Sequence, residues 1–133
     1  MARLTILAIE DNALSRVTLL SLGERLNLDM TVAHSIASAL VVLRSQSFDL
    51  IIVEQHMIED ELGSENIIKQ AERLDGIKTP LLSITAFPAK TERSQLRQAA
   101  DAYLQKPYTF EQFVKAIAVV TDNGSFLRSK EAS

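Results

Sequence analysis

The chain has 133 residues, which points to one compact domain and leaves no room for a second. With 47% apolar and 23% charged residues it has the balance of a soluble globular protein, and the absence of cysteine excludes disulfides, thiolate metal sites and cysteine nucleophiles. A net charge of −3 gives no general attraction to nucleic acid or to anionic membrane, so neither is expected as a partner.

Short apolar runs alternate with segments of helical period along the whole chain. Leu4–Ile9 is a near-continuous apolar run, as expected of a strand covered on both faces. It is too short to cross a bilayer and follows no charged leader with a cleavage site, so the expected compartment is the cytoplasm. After it, Ala13, Val17 and Leu20 form one helical stripe, with Leu19, Leu22 and Leu26 beside it. Met30–Ala33 reads as a second strand. Ser35 is placed to cap a second helix that carries Ile36, Ala39, Leu40 and Leu43 at i, i+3, i+4, i+7 spacing.

Leu50–Val53 is β-branched and wholly apolar, a third strand. Ser64 opens a third helix with Ile67, Ile68, Ala71 and Leu74 on its buried side, and Leu81–Ile84 after Pro80 is the fourth strand. A polar fourth helix is expected from about Lys90 to Ala99, then a brief fifth strand at Ala102–Leu104. Thr109 caps a last helix with Phe110, Phe113, Val114 and Ile117 in register. One domain is expected over 1–121, with a polar, frayed tail over 122–133.

This alternation predicts an α/β fold, a five-stranded parallel sheet with helices on both faces. In such folds the working crevice lies beyond the carboxyl ends of the strands. The residues delivered there are Glu10 and Asp11 after the first strand, Glu54 after the third, Thr85 after the fourth, and Lys106-Pro107 after the fifth. Clustered carboxylates suit a hard, oxygen-seeking cation. A hydroxyl and an ammonium suit the oxygens of a phosphoryl group, and a strand-end carboxylate suits a nucleophile that becomes an acyl phosphate.

Four segments, in order, make the pattern specific: Ile9-Glu10-Asp11-Asn12, Asp49 through Met57, Ser83-Ile84-Thr85-Ala86, and Ala100 through Pro107. Together they resemble the receiver domain of two-component response regulators, over roughly Leu4 to Val120. The resemblance implies strand order 2-1-3-4-5 and a signalling module rather than an enzyme. It implies Mg²⁺ held by Glu10, Asp11 and the backbone carbonyl of His56. It makes Thr85 and Lys106 the phosphoryl contacts, Tyr103 the switching aromatic, and the Lys106-Pro107 peptide cis. The expected partner is a protein, a histidine kinase or an output protein, docked on the fourth helix, fifth strand and fifth helix.

The chain departs from that pattern at the acceptor position, where Glu54 replaces aspartate. The extra methylene carries the carboxylate about 1.5 Å farther, and a displacement of about 1 Å costs roughly 10²-fold in reactive geometries. Ile58 stands where the family has proline, and Glu59, Asp60, Glu61 and Gly63 alter the loop. Three readings follow. A pseudo-receiver works by binding a partner; within that reading, Glu54 imitates the phosphorylated state by pairing with Lys106. Alternatively, Glu54 or a neighbour such as Asp60 accepts phosphate with Mg²⁺. Glu10 and Asp11 also have a plainer reading as solvated acids at the start of the first helix. His34 and His56 stand alone, without a paired ligand spacing.

The rival from another class is a small flavodoxin-like enzyme or cofactor binder. No glycine-rich phosphate loop follows the first strand, and aromatics are 5% with no Trp to furnish a flavin pocket. No helix-turn-helix segment follows the fifth helix, which argues against a DNA binder.

Overall fold

The protein is described by a computed structural model at residues 3–58, 66–67, 69–72, 78–86 and 100–121. The expected strands form one parallel sheet, β1 (Thr5–Ile9), β2 (Asp29–Ala33), β3 (Leu50–Glu54), β4 (Leu81–Thr85) and β5 (Ala102–Gln105), in the order β2-β1-β3-β4-β5. That is the α/β architecture and strand order expected.

Alternation along the strands divides the interior in two, because successive side chains leave a strand on opposite faces. Ile6, Ala8, Leu50, Ile52, Leu82 and Ile84 face one core, closed by helix α1 (Ala13–Arg25) and the C-terminal helix (Phe110–Thr121). Leu7, Ile9, Ile51, Val53 and Leu81 face the other, closed by α2 (Ile36–Ser45) and by Ile67 and Ala71. The central strand β3 is buried at every position, which explains why its sequence shows no polar alternation.

The caps follow from the sequence. Ser35 Oγ accepts from the Ser38 amide at 3.0 Å and starts α2. Thr109 Oγ1 accepts from the Gln112 amide while Gln112 Oε1 accepts from the Thr109 amide, a reciprocal capping box at the C-terminal helix. Helix α1 ends in a Schellman motif: the Leu28 amide donates to Gly23 O at 2.7 Å and the Asn27 amide to Glu24 O at 3.2 Å. Asn27 supplies the left-handed residue at φ 56. Gly23 serves a second purpose, since a Cβ there would sit 3.0 Å from Met30 Cβ.

Of the two apolar rows read on the first helix, Ala13, Val17 and Leu20 are exposed, as is Leu14. Leu19, Gly23 and Leu26 are the buried side of α1, with Leu22 packed against it. The helix carries more apolar residues than one face holds, and the buried row is the one that contains Gly23, where a Cβ would crowd Met30. Ser64, Ile68, Leu74, the fourth helix and the 122–133 tail lie outside the described residues. Among the described residues no helix is long and apolar enough to cross a membrane.

Candidate functional site at the carboxyl edge of the sheet

The sheet delivers Glu10, Glu54 and Lys106 to one point. Glu10 follows β1, its amide donating to Ala33 O at 3.0 Å, and Glu54 closes β3. The Lys106 amide donates to Thr85 O at 2.9 Å, continuing the β4–β5 ladder past its last pair, and the peptide it forms with Pro107 is cis, as expected. Lys106 Nζ then lies 2.7 Å from Glu10 Oε1 and 2.9 Å from Glu54 Oε2.

Both glutamates are buried, Glu10 at 2% and Glu54 at 3% exposure, so of the two acids in the plainer reading Glu10 is not solvated, whereas Asp11 is exposed. The cap of α1 is Asn12, whose Oδ1 accepts from the Ser15 amide at 2.9 Å. Glu10 Oε2 accepts from the Asn12 amide at 3.2 Å. Glu54 Oε2 is close to Nζ yet outside hydrogen-bond angles, which leaves it with no hydrogen bond. We treat it as an ion pair, because Coulomb attraction has no directional requirement.

The sequence missed the side chain of His56. It sits on a single 3₁₀ turn (Gln55–Ile58) after β3, and that turn swings the imidazole back over the strand end. Nδ1 lies 2.8 Å from Glu54 Oε1 and Nε2 lies 3.2 Å from Asp11 Oδ2. Expected only as a histidine without a paired metal-ligand spacing, His56 instead contacts two carboxylates. The only available signal was its position two residues after Glu54, which says nothing of ring direction. Arg16, one turn into α1, was also missed; its guanidinium donates to Asp11 O at 2.7 Å and Glu10 O at 3.2 Å, fixing the acidic turn.

The charges are mutually adjusted. Hydrogen bonding to Glu54 raises the His56 pKa above 6.5; burial opposes this, and Asp11 adds to it. Burial opposes the Asp11 carboxylate, but the hydrogen bond and charge of His56 outweigh it and its pKa falls below 3.8. Burial likewise opposes the Lys106 ammonium, and the hydrogen bond to Glu10 together with the ion pair to Glu54 overcomes it, raising its pKa above 10.5. Burial raises the neighbouring Tyr108 phenol.

Thr85 is buried beside this group at the end of β4, and Tyr103 on β5 is 40% exposed. Of the side chains expected to hold Mg²⁺, Glu10 is already engaged by Lys106 and the Asn12 amide and Asp11 Oδ2 by His56, while the acceptor-position Glu54 beside them is engaged by His56 and Lys106. Among the described residues no group of three or more His, Cys, Asp and Glu side chains is arranged to hold a metal ion. As arranged, the side chains do not fit Mg²⁺, which demands near-ideal octahedral oxygen ligation.

No protein-family model matches the sequence, and no curated protein does. Solved structures with the same fold are numerous. The receiver domain of the sensor histidine kinase PA1611 from Pseudomonas aeruginosa PAO1, with magnesium coordinated in its active-site cleft, matches with a TM-score of 0.77 and 20% identity over 91% of this chain and 99% of that one. Chemotaxis response regulator CheY4 of Vibrio cholerae matches at 0.74 and 24% identity over 90% and 99%. A response regulator of Burkholderia pseudomallei with a phosphorylated aspartic acid, calcium and citrate matches at 0.69 and 26% identity, over 96% of this chain and 72% of that one. The fold is that of CheY-like response regulator receiver domains.

Proposed function

We propose that the chain is a receiver-like signal-transduction module that acts by binding a protein partner, with Glu54 tied to Lys106 in place of phosphoryl chemistry. The observation that carries this is the position of Lys106 Nζ between Glu10 and Glu54. An ammonium held by two buried carboxylates is not available as a point charge for an incoming phosphoryl oxygen. Glu54 itself is engaged at both oxygens, by His56 and by Lys106. An acceptor carboxylate needs one of them exposed to the donor in line.

The reading in which Glu54 imitates the phosphorylated state draws support from the Lys106 contact and the buried Thr85. Against it, Tyr103 is 40% exposed rather than drawn inward. A carboxylate also carries one charge where a phosphate carries about −1.5 to −2. We take the pocket as locked without a matching move of Tyr103. The partner surface assigned to it is β5 and the C-terminal helix, where Tyr103 and Val119 are exposed, together with the fourth-helix segment beyond the described residues.

The test is incubation of the full chain with acetyl phosphate and Mg²⁺ followed by intact-mass measurement. The expected spectrum is unchanged. A phosphate increment, at Glu54 or at a neighbour such as Asp60, would overturn the proposal in favour of a phosphorylatable receiver.

A further inference from the structure

We infer that the side chain of His56 takes the place of the pocket's divalent cation: it cross-links Asp11 and Glu54, and Mg²⁺ gains access only when that side chain is removed. This rests on reading the Glu10–Asp11–Glu54 group as the acidic pocket of a receiver-like domain.

The geometry is specific about the contacts of the bridge. Nδ1 faces Glu54 Oε1 at 2.8 Å and Nε2 faces Asp11 Oδ2 at 3.2 Å. Where both carboxylates are ionised they only accept hydrogen bonds, and a ring that donates to both is the imidazolium; in either form the ring fills the space between Asp11 and Glu54. With the ring protonated, the pocket brings three carboxylates, Glu10, Asp11 and Glu54, against two cations, Lys106 and His56. Without His56 two negative charges would be unbalanced, the deficit that a divalent ion fills.

Mg²⁺ gives up its water reluctantly and needs several well-placed oxygens to do so. Here it would have to break the His56 bridge to reach Asp11 Oδ2 and Glu54 Oε1. It would then meet an imidazolium at the rim, and like charges repel strongly at that range. Truncating His56 removes both obstacles and leaves intact the main-chain carbonyl of residue 56. The side chain is 46% exposed, so its loss opens no cavity in either core.

The test is a Mg²⁺ titration of wild type, His56→Ala and His56→Lys, read by amide chemical shifts of the acidic turn and by melting temperature. Melting without Mg²⁺ serves as the folding control. The inference expects no saturable response in wild type, saturable binding in H56A that is at least about tenfold tighter, and continued exclusion in H56K, which keeps a cation at the rim. Equal affinity in wild type and H56A would overturn it. So would no binding by either protein, or binding by H56K as tight as by H56A. The titration uses neither phosphodonor nor partner, so a phosphate mass increment on wild type would end the proposed function without deciding this result.

Discussion

Glu10 and Lys106 stand 96 residues apart in the chain, and their charged atoms meet at 2.7 Å in the interior of the pocket. The contact joins the end of β1 to the residue after β5, so it exists only when the sheet is complete. A buried ion pair of this kind is weak evidence for stability in itself. Removal of one partner is costly, because the other charge is left in low dielectric without compensation.

Lys106→Met therefore removes the cation shared by Glu10 and Glu54 and leaves two buried carboxylates facing each other. A loss of about 3 kcal/mol is expected at neutral pH, measured by urea denaturation. The loss should shrink as the pH is lowered toward the carboxylate range, where a proton replaces the missing ammonium. A loss independent of pH would count against the electrostatic account.

His56 gives the opposite pH dependence. Its pKa is raised in the folded protein above the ordinary 6.5, so the folded state binds its proton more tightly than the unfolded chain does. The contribution is fully present below pH 6.5 and fades as the pH rises through the folded value. Wild type minus H56A, followed by thermal melting across that interval, should show a difference that declines with pH. Asp11 and Glu54 are the charged groups that face the ring among the described residues.

Reversal of the acceptor is the sharpest functional test. Glu54→Asp shortens the carboxylate by one methylene and draws it back from Lys106, but His56 still guards Asp11. The single variant is expected to remain unlabelled by acetyl phosphate. The double variant Glu54→Asp with His56→Ala should show a phosphate mass increment in the presence of Mg²⁺ and none in its absence.

The two rows of α1 predict contrasting responses to truncation. Leu19→Ala, on the buried side, is expected to cost about 2–5 kcal/mol. Val17→Ser and Leu20→Ser, at 59% and 47% exposure, should stay within about 0.5 kcal/mol of wild type. Urea midpoints for the three variants check the assignment of faces.

The same helix shows where the sequence was legible and where it was not. Strands β1, β3 and β4 are nearly pure apolar runs flanked by polar residues, and the alternation of such runs with helical segments calls for a parallel sheet; the strand order came from the resemblance. In α1, Leu14, Val17, Leu19, Leu20, Leu22 and Leu26 supply two competing rows, and periodicity alone does not choose between them. In the fold Leu19, Gly23 and Leu26 are the buried row, and Gly23 lies where a Cβ would crowd Met30. At the pocket, Glu10, Asp11, Glu54 and Lys106 were legible because strand ends converge by topology. His56 was not, because the direction of a side chain on a 3₁₀ turn depends on backbone torsion rather than on residue order.

β3 lies at the centre of the sheet and is buried along its whole length, whereas β5 is an edge strand with alternating exposure. Amides in the central strand should exchange with solvent only on global opening, while those at the edge exchange through local fraying. Glu54 is anchored to the first and Lys106 to the second. Opening that begins at the sheet edge is therefore expected to loosen the Lys106–Glu54 pair before it reaches the central strand.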